Sequence, residues 1–259
     1  MFADPRKNDI MNLLNEKSSV SVSELSKLFK ISEVSVRKIL VSMEQAGQLR
    51  RTWGGAVSIY SSLHELSNEE KLPKHLEEKK AIAQAAYDCI NDGDAVFLDS
   101  GTTTIQLARL IVSGPKRNIM VATNATNISM ELAKASDIQS VIIGGEFRQK
   151  IFSCVGYIAL MCLDHLCFDK GFITGNHFSL EHGFTTPNLQ EAEIKHRVLT
   201  VSKNKYILMD SSKFGDDSLA LIASPKEADH VITDWNLSSE VIRQFSELGL
   251  NVIVAKKAE

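Results

Sequence analysis

Apolar and polar positions alternate along the chain in two distinct rhythms. Runs of four apolar residues bounded by polar ones, such as Ala95–Leu98, are typical of buried strands. From Thr103 onward apolar residues recur mostly every three or four positions, which predicts a helix. The strand and helix patterns alternate as far as a last strand at Asn251–Val254. Residues 76–259 are therefore predicted to form a mainly parallel sheet covered by helices on both faces.

The first 57 residues follow a different pattern, of three short amphipathic helices and a hairpin. Ser21 and Ser32 are predicted to cap the second and third helices, and Gly47 to end the third. Gly54 and Gly55 then form a turn between two short strands. This order is typical of a winged helix-turn-helix, with a small protein-interaction module as the alternative.

The third helix, from Glu33 to about Ala46, is the predicted DNA-reading element. Its polar N-terminal residues are expected to meet base edges and phosphates in the major groove. The arginines of the wing are expected to reach phosphates or the minor groove. The predicted DNA-contacting residues are Ser32, Ser35, Val36, Arg37, Lys38, Arg50, Arg51 and Trp53.

Charge is distributed unevenly between the two parts. Residues 1–57 hold nine Lys and Arg and six Asp and Glu, so the remainder of the chain holds 20 and 26. A basic head on an acidic body favours an anionic partner for the head alone. Residues 58–75 are polar and charged, and they are predicted to be a linker.

Several classes of protein are disfavoured by the sequence. No apolar run approaches the length of a membrane span, and the N-terminal residues lack the apolar core of a signal peptide. The four cysteines have no CxxC spacing. We therefore expect a cytoplasmic protein with reduced thiols, no metal site and no cofactor.

Polar residues and glycines recur just after the predicted strands. Since ligands of open α/β sheets bind outside the carboxyl ends of the strands, these residues are expected to converge on one crevice. Its hydroxyls, backbone N–H groups and single cation, Lys213, suit a phosphorylated small molecule, although each turn alone is equally well explained by ordinary loop chemistry. The predicted effector-binding residues are Asp99, Ser100, Gly101, Thr102, Thr103, Asn124, Gly144, Gly145, Glu191 and Lys213.

Two interpretations remain open for Glu191 and Lys195, which share a helix face at a spacing of four. They either form an ordinary surface ion pair, or Glu191 faces the crevice mouth and couples the ligand to a moving loop.

Motifs in both parts, in the same order, resemble the DeoR-type bacterial transcriptional regulators. The head motifs are Ser32–Leu40 and Gly47–Ala56. This chain departs from the family pattern at four positions: it has Ser35 for Thr, Lys38 for Arg, Ile39 for Asp and Trp53 for His. In the body the matching segments are Asp99–Thr103, Val121–Asn124, Gly144–Gly145, Gly183–Pro187, Glu191–Lys195, Asp210–Gly215 and Ile232–Asp234.

The resemblance implies more than the residue patterns do. It implies a Rossmann-like sensor domain similar to ribose-5-phosphate isomerase and related sugar-phosphate enzymes. It also implies a repressor of a carbohydrate-use operon, forming a dimer or tetramer, that binds double-stranded operator DNA and a phosphorylated sugar. The alternative is an isomerase-like enzyme with a DNA-binding appendage, in which Asp99 or Glu191 is the general base and Lys213 holds phosphate.

Overall fold

The computed structural model describes residues 5–17, 19–52, 54–58 and 65–257. The chain divides into two compact units, Met1–Glu65 and Leu66–Glu259. Residues 66–75, which the sequence assigns to a linker, therefore belong to the second unit. Trp53 and the side chain of Arg50, both predicted to contact DNA, lie outside the described residues.

The first unit contains, within its described residues, three helices and three short strands. The strands form an antiparallel sheet in the order β1-β3-β2, so the predicted winged helix-turn-helix is confirmed. The elements are α1 (Pro5–Lys17), β1 (Ser19–Ser21), α2 (Val22–Phe29), α3 (Glu33–Gln45), β2 (Leu49–Thr52) and β3 (Gly55–Ser58).

The caps predicted for α2 and α3 are present. Ser21 Oγ accepts a hydrogen bond from the backbone of Glu24 at 3.1 Å, and Ser32 Oγ accepts one from the backbone of Ser35 at 3.3 Å. Val36 is fully buried in the core of this unit, so its assignment as a DNA contact is wrong. The helical spacing that places its neighbours Leu40 and Met43 in the core applies equally to Val36; these side chains leave the opposite face of α3 exposed.

The second unit is an α/β structure in which helices and strands alternate along the chain. Its helices are α4 (Asn68–Lys71), α5 (Leu76–Asp88), α6 (Thr104–Ser113), α7 (Thr126–Leu132), α8 (Tyr157–Leu163), α9 (Leu189–Thr200) and α10 (Ser239–Glu247). Its strands are β4 (Ala95–Leu98), β5 (Met120–Thr123), β6 (Gln139–Ile142), β7 (Glu146–Arg148), β8 (Ser153–Val155), β9 (Phe168–Thr174), β10 (His177–Ser179), β11 (Gly183–Thr186), β12 (Ser202–Leu208), β13 (Ala220–Ala223), β14 (His230–Thr233) and β15 (Asn251–Val254).

Seven strands form one parallel sheet in the order β15-β14-β12-β9-β4-β5-β6. Successive residues of β4 point to opposite faces: Phe97 joins one hydrophobic cluster, and Val96 and Leu98 join the other. Helices α5 to α7 contribute to the second cluster and α8 to α10 to the first. The predicted parallel sheet with two covered faces is confirmed.

Two smaller antiparallel elements lie beside the main sheet and were absent from the sequence prediction. The strands β7 and β8 form a hairpin, and β10, β11 and β13 form a three-stranded sheet. All of these strands have only three or four residues, which is too short for a clear alternation of polar and apolar positions. None of the helices in the described part of the chain combines the length and hydropathy needed to cross a bilayer.

A close backbone contact in the first unit requires a glycine at the start of β3. A Cβ atom on Gly55 would lie 1.9 Å from the carbonyl oxygen of Val20 in β1. A Cβ atom on the preceding Gly54 would have no atom within 4 Å. The two glycines of the wing therefore have different roles, since only Gly55 is constrained by packing.

Replacing Gly55 by Ala is expected to destabilise the first unit by about 1–3 kcal/mol, because β1 and β3 must move apart. The matched change Gly54→Ala is expected to alter stability by no more than about 0.5 kcal/mol. Urea unfolding of the full chain, followed by the fluorescence of Trp53 in a Trp235→Phe background, measures both. Equal effects of the two substitutions would contradict this account of the wing.

Candidate functional sites

The exposed face of α3 forms the candidate DNA-reading surface. Ser32, Arg37 and Lys38 are exposed, and Ser35 is half-buried beside them. Val34, which the sequence analysis did not select, is 64% exposed at the N-terminal end of the same helix. A valine there suits apolar contact with a thymine methyl group, alongside polar contacts from its neighbours.

Two arginines of the first unit are held by carboxylates of α3. A guanidinium nitrogen of Arg37 lies 3.7 Å from Glu33, and both side chains are about half exposed. The backbone N–H of Arg51 donates to Glu44 at 2.8 Å, and its guanidinium lies 3.6 Å from the same carboxylate. Exposed pairs of this kind contribute little to stability, so both cations remain available to phosphates.

Ile39, where the family pattern has aspartate, is half-buried and packs against the core of the first unit. This departure from the pattern therefore adds apolar packing beneath α3. It removes a charge from the helix without placing an apolar side chain at the centre of its exposed face.

The order of strands in the main sheet places a topological switch point between β4 and β9. The chain proceeds from β4 to β5 and β6 on one side and later returns to β9 on the other. Asp99 follows β4, and Thr174 is the last residue of β9. Ligands of open α/β sheets bind at such a point, so these residues mark the second candidate site.

Asp99 is 1% exposed and accepts hydrogen bonds through both oxygens. Its Oδ1 accepts from the backbone N–H of Gly101 and from the hydroxyl of Thr104, each at 3.1 Å. Its Oδ2 accepts from the backbone and hydroxyl of Thr174, at 2.7 and 2.8 Å, and from the ammonium of Lys195. Asp99 therefore fixes the shape of the loop, and its oxygens are already occupied by donors of the protein.

Glu191 and Lys195 are 2% and 4% exposed, so the interpretation as a surface ion pair is wrong. They also contact different partners. Glu191 Oε1 accepts from the hydroxyl of Ser153 at 2.5 Å and lies 3.1 Å from Arg148, while Oε2 accepts from the hydroxyl of Ser100 at 3.3 Å. Glu191 thus joins the loop after β4 to the hairpin β7–β8.

The turn that leads into α6 leaves donors free. Among the described residues, no atom accepts a hydrogen bond from the backbone N–H groups of Thr102, Thr103 and Thr104 or from the hydroxyls of Thr102 and Thr103. These N–H groups lie at the N-terminus of a ten-residue helix, where the helix dipole is positive. Such a turn binds phosphate and carboxylate groups.

Asn124, which follows the neighbouring strand β5, contributes a second polar group. Its Nδ2 donates to the carbonyl of Cys154 at 2.9 Å, and its buried Oδ1 has no hydrogen-bond partner among the described residues. An unpaired buried acceptor costs about 1–3 kcal/mol, and a ligand hydroxyl would satisfy it.

The two glycines after β6 have separate surroundings. A Cβ atom on Gly145 would lie 2.5 Å from the carbonyl oxygen of Val155, so this glycine allows the hairpin to pack closely. Gly144 is exposed, and a Cβ atom there would have no atom within 4 Å. Neither glycine donates a backbone hydrogen bond to the loop after β4.

Lys213 lies in a single 3-10 turn, Ser211–Lys213, and is half-buried. Burial and the charge of Lys213 together lower the pKa of Lys79 to about 8. The prediction of Lys213 as the crevice's single cation is wrong, since the ammonium that contacts Asp99 belongs to Lys195. Lys195 was missed although it ends the family motif Glu191–Lys195, because its spacing from Glu191 suggested a partner on its own helix.

Asn68, at the start of α4, is bonded to the loop after β4 and to the turn between β7 and β8. Its Nδ2 donates to the carbonyl oxygens of Ser100 at 3.1 Å and Ile151 at 2.8 Å. Its backbone N–H donates to the carbonyl oxygen of Lys150 at 3.0 Å. The residue is 6% exposed, so the chain is firmly held here, three residues after the end of the first unit at Glu65.

Metal ligation has no support in the part of the chain that the structure describes. There, no group of three or more His, Cys, Asp or Glu side chains is arranged to hold a metal ion.

Some solved structures share part of the chain's arrangement. A ribose-5-phosphate isomerase in complex with phospho-erythronic acid matches 53% of this chain and 53% of its own, with a TM-score of 0.40 and 15% identity. The eIF2B delta chain of Chaetomium thermophilum matches 56% of this chain and 52% of its own, with a TM-score of 0.41 and 12% identity. These partial likenesses say nothing about activity.

Curated relatives align along nearly the whole chain. A putative aga operon transcriptional repressor of Escherichia coli O157:H7 is 32% identical over 96% of this chain and 93% of its own. The transcriptional regulator GlpR of Haloferax volcanii is 32% identical over 98% of both chains. The lactose phosphotransferase system repressor of Staphylococcus epidermidis is 33% identical over 89% of this chain and 92% of its own.

Family models agree with this alignment. A model of the DeoR-like helix-turn-helix domain matches residues 6–62, and a model of the DeoR C-terminal sensor domain matches residues 74–235. The chain belongs to the DeoR family of helix-turn-helix transcriptional regulators.

Proposed function

We propose that the chain is an oligomeric repressor of a carbohydrate-use operon, and that a phosphorylated sugar controls its affinity for operator DNA. Relatives named for the aga operon and for the lactose phosphotransferase system support the link with carbohydrates. Two heads on one dimer or tetramer would bind paired half-sites of the operator.

The observation that carries this proposal is the set of free donors at the switch point of the sheet. The three N–H groups at Thr102, Thr103 and Thr104 are assigned to the phosphate group of the effector. The unpaired Oδ1 of Asn124 is assigned to a sugar hydroxyl. Asp99 holds this loop at both ends, because its carboxylate accepts hydrogen bonds from Gly101 and from Thr174.

The contacts of the two candidate general bases, Asp99 and Glu191, favour binding over catalysis. Five donor atoms of the protein lie within hydrogen-bond distance of the Asp99 carboxylate, and Glu191 is engaged by Ser100, Ser153 and Arg148. A general base must reach a substrate proton with a free lone pair. We therefore assign these residues to the structure of a sensor site.

The route from effector to DNA is assigned to Asn68. Its side-chain amide donates to the carbonyl of Ser100, within the anion-binding turn, Asp99 to Thr104. Asn68 follows Glu65, the last residue of the first unit, by three positions in the sequence. A ligand that moves this turn changes where Asn68 is held. The start of the second unit, to which the DNA-binding unit is joined, then changes position. The spacing between the DNA-binding units of an oligomer changes with it.

The first prediction concerns the head. Replacing Arg37 and Lys38 together by Ala is expected to weaken binding to a duplex from the region upstream of the gene. The plot of log affinity against log salt should become less steep, and the magnitude of its negative slope should decrease by about 0.9 for each phosphate that the variant no longer neutralises. Fluorescence anisotropy at several salt concentrations measures this, with Lys203→Ala and Lys226→Ala together in the second unit as the charge-matched control. An unchanged slope in a folded double variant would exclude α3 as the phosphate-contacting helix.

The second prediction concerns the effector. One member of a panel of sugar phosphates is expected to change affinity for the same duplex by about 5–150-fold, whereas its unphosphorylated sugar has no effect. The double variant Thr102→Val and Thr103→Val is expected to keep its DNA affinity and bind that compound more weakly. Gel-shift titration measures both, and chromatography of ribose 5-phosphate incubated with the protein tests for turnover. Conversion to the ketose at enzymatic rates would favour the isomerase instead.

The third prediction separates coupling from binding. Asn68→Ala is expected to bind the effector within about threefold of the original affinity. The factor by which the effector changes DNA affinity is expected to fall toward one. Asn236→Ala, which alters an exposed asparagine, is the matched control and should retain the full influence. Calorimetry and gel-shift titration give the two affinities. Full coupling in Asn68→Ala would show that the signal takes another route.

A further inference from the structure

A second cavity of about 590 Å³ lies between α5, α6 and the segments that follow β14 and β15. Its volume is in the range of small-molecule sites. None of the residues of the anion-binding turn, Asp99 to Thr104, lines it. The cavity therefore cannot be explained by the effector site proposed above.

The charge of this cavity is opposite to that of the surrounding domain. Its lining includes Lys80, Arg109, Lys256 and Lys257 but only one carboxylate, that of Glu77. Lys80 lies 3.0 Å from that carboxylate, whereas neither Lys256 nor Lys257 has an ion-pair partner among the described residues. Cations concentrated in a concave site on an otherwise acidic domain favour an anionic ligand.

A buried amide in the wall has a donor without a partner. Gln106 is 6% exposed and lines the cavity, and its Oε1 accepts from the guanidinium of Arg109 at 3.2 Å. This contact fixes which end of the amide is the oxygen. The remaining Nε2 has no hydrogen-bond partner among the described residues. An acceptor atom on a ligand would satisfy it.

The apolar part of the lining includes a flat surface. The half-buried indole of Trp235 lies on one side, and the ammonium of Lys257 is 5.8 Å from its ring centroid. Ala81 and Leu110 contribute aliphatic surface from the two helices. An aromatic ring of a ligand would pack on these groups while its charged group meets the lysines.

We infer that this cavity is a binding site for a small organic anion that carries an aromatic ring. The ring packs on Trp235, the anionic group pairs with Lys256 and Lys257, and an acceptor atom accepts a hydrogen bond from the Nε2 of Gln106. Nucleoside monophosphates and aromatic carboxylates both have this chemistry. The chain is then a receptor for two different small molecules, one at each site.

The test uses tryptophan fluorescence of the full chain. The sequence has two tryptophans, so Trp53→Phe leaves Trp235 as the only indole. In that background AMP and 4-hydroxybenzoate are titrated, with adenosine and phenol as uncharged counterparts. At least one of the two anions is expected to give a saturable change in the fluorescence of Trp235. Its uncharged counterpart is expected to bind at least tenfold more weakly. The anion that responds shows whether the site takes a nucleoside monophosphate or an aromatic carboxylate.

Variants then locate the site. Lys256→Ala with Lys257→Ala is expected to weaken binding of the responding anion at least tenfold, and Gln106→Leu at least threefold, while Lys226→Ala leaves it unchanged. The inference is overturned if neither anion gives a saturable change up to 10 mM, or if the lysine variant binds as well as the parent. It is also overturned if the lysine variant changes only the oligomeric mass measured by light scattering, because the cavity would then be a contact between copies.

Discussion

The ion pair between Asp99 and Lys195 is the contact on which the anion-binding turn depends. Two charges removed from water are costly, and removing one partner of such a pair typically costs about 3–5 kcal/mol. The cost is offset here because Asp99 also accepts hydrogen bonds from Thr174, Gly101 and Thr104. Those bonds tie the loop to β9 and to the first turn of α6. The loop that carries the free N–H groups of Thr102 to Thr104 is thereby held in place by the carboxylate of Asp99.

This arrangement also explains why the site is at this point of the sheet. β4 and β9 are neighbours in space but distant in sequence, and their loops diverge above the sheet. A gap between diverging loops is available only at the switch point. Lys195 reaches it from α9, on one face of the sheet, and Asn68 approaches from a segment before α5. The site therefore draws on segments separated by up to about half the chain.

The periodicity of apolar residues was sufficient to predict the winged helix-turn-helix and the parallel sheet. Long amphipathic helices and fully apolar strands leave strong patterns in the sequence. Gly55 indicates the turn of the wing, and Ser32 indicates the N-cap of α3. The loop after β4 could be predicted as well, because the change from strand to helix is abrupt at Thr103. These features depend on residues close together in sequence.

The remaining features depend on tertiary contacts that periodicity does not encode. The spacing of Glu191 and Lys195 identifies a shared helix face, but not the loop and hairpin that bury it. The same limitation explains why Lys195, in the middle of α9, was not selected, whereas Lys213, which follows β12, was. The small strands β7, β8, β10 and β11 have no pattern of their own because they exist only through pairing. Asn68 was placed in a linker for its polar neighbours, although its amide bonds to two buried carbonyl groups.

Helix α6 connects the two sites proposed for small molecules. Its N-terminus supplies the anion-binding turn, and Gln106, its third residue, lies in the wall of the second cavity. A helix of ten residues moves as a rigid element, so a ligand that shifts it from one site changes the geometry of the other. Any such effect must be reciprocal, because the coupling free energy between two binding sites is the same in both directions. The second ligand would then alter DNA affinity without contacting the turn, and Asn68, which donates to Ser100 within that turn, would transmit both signals.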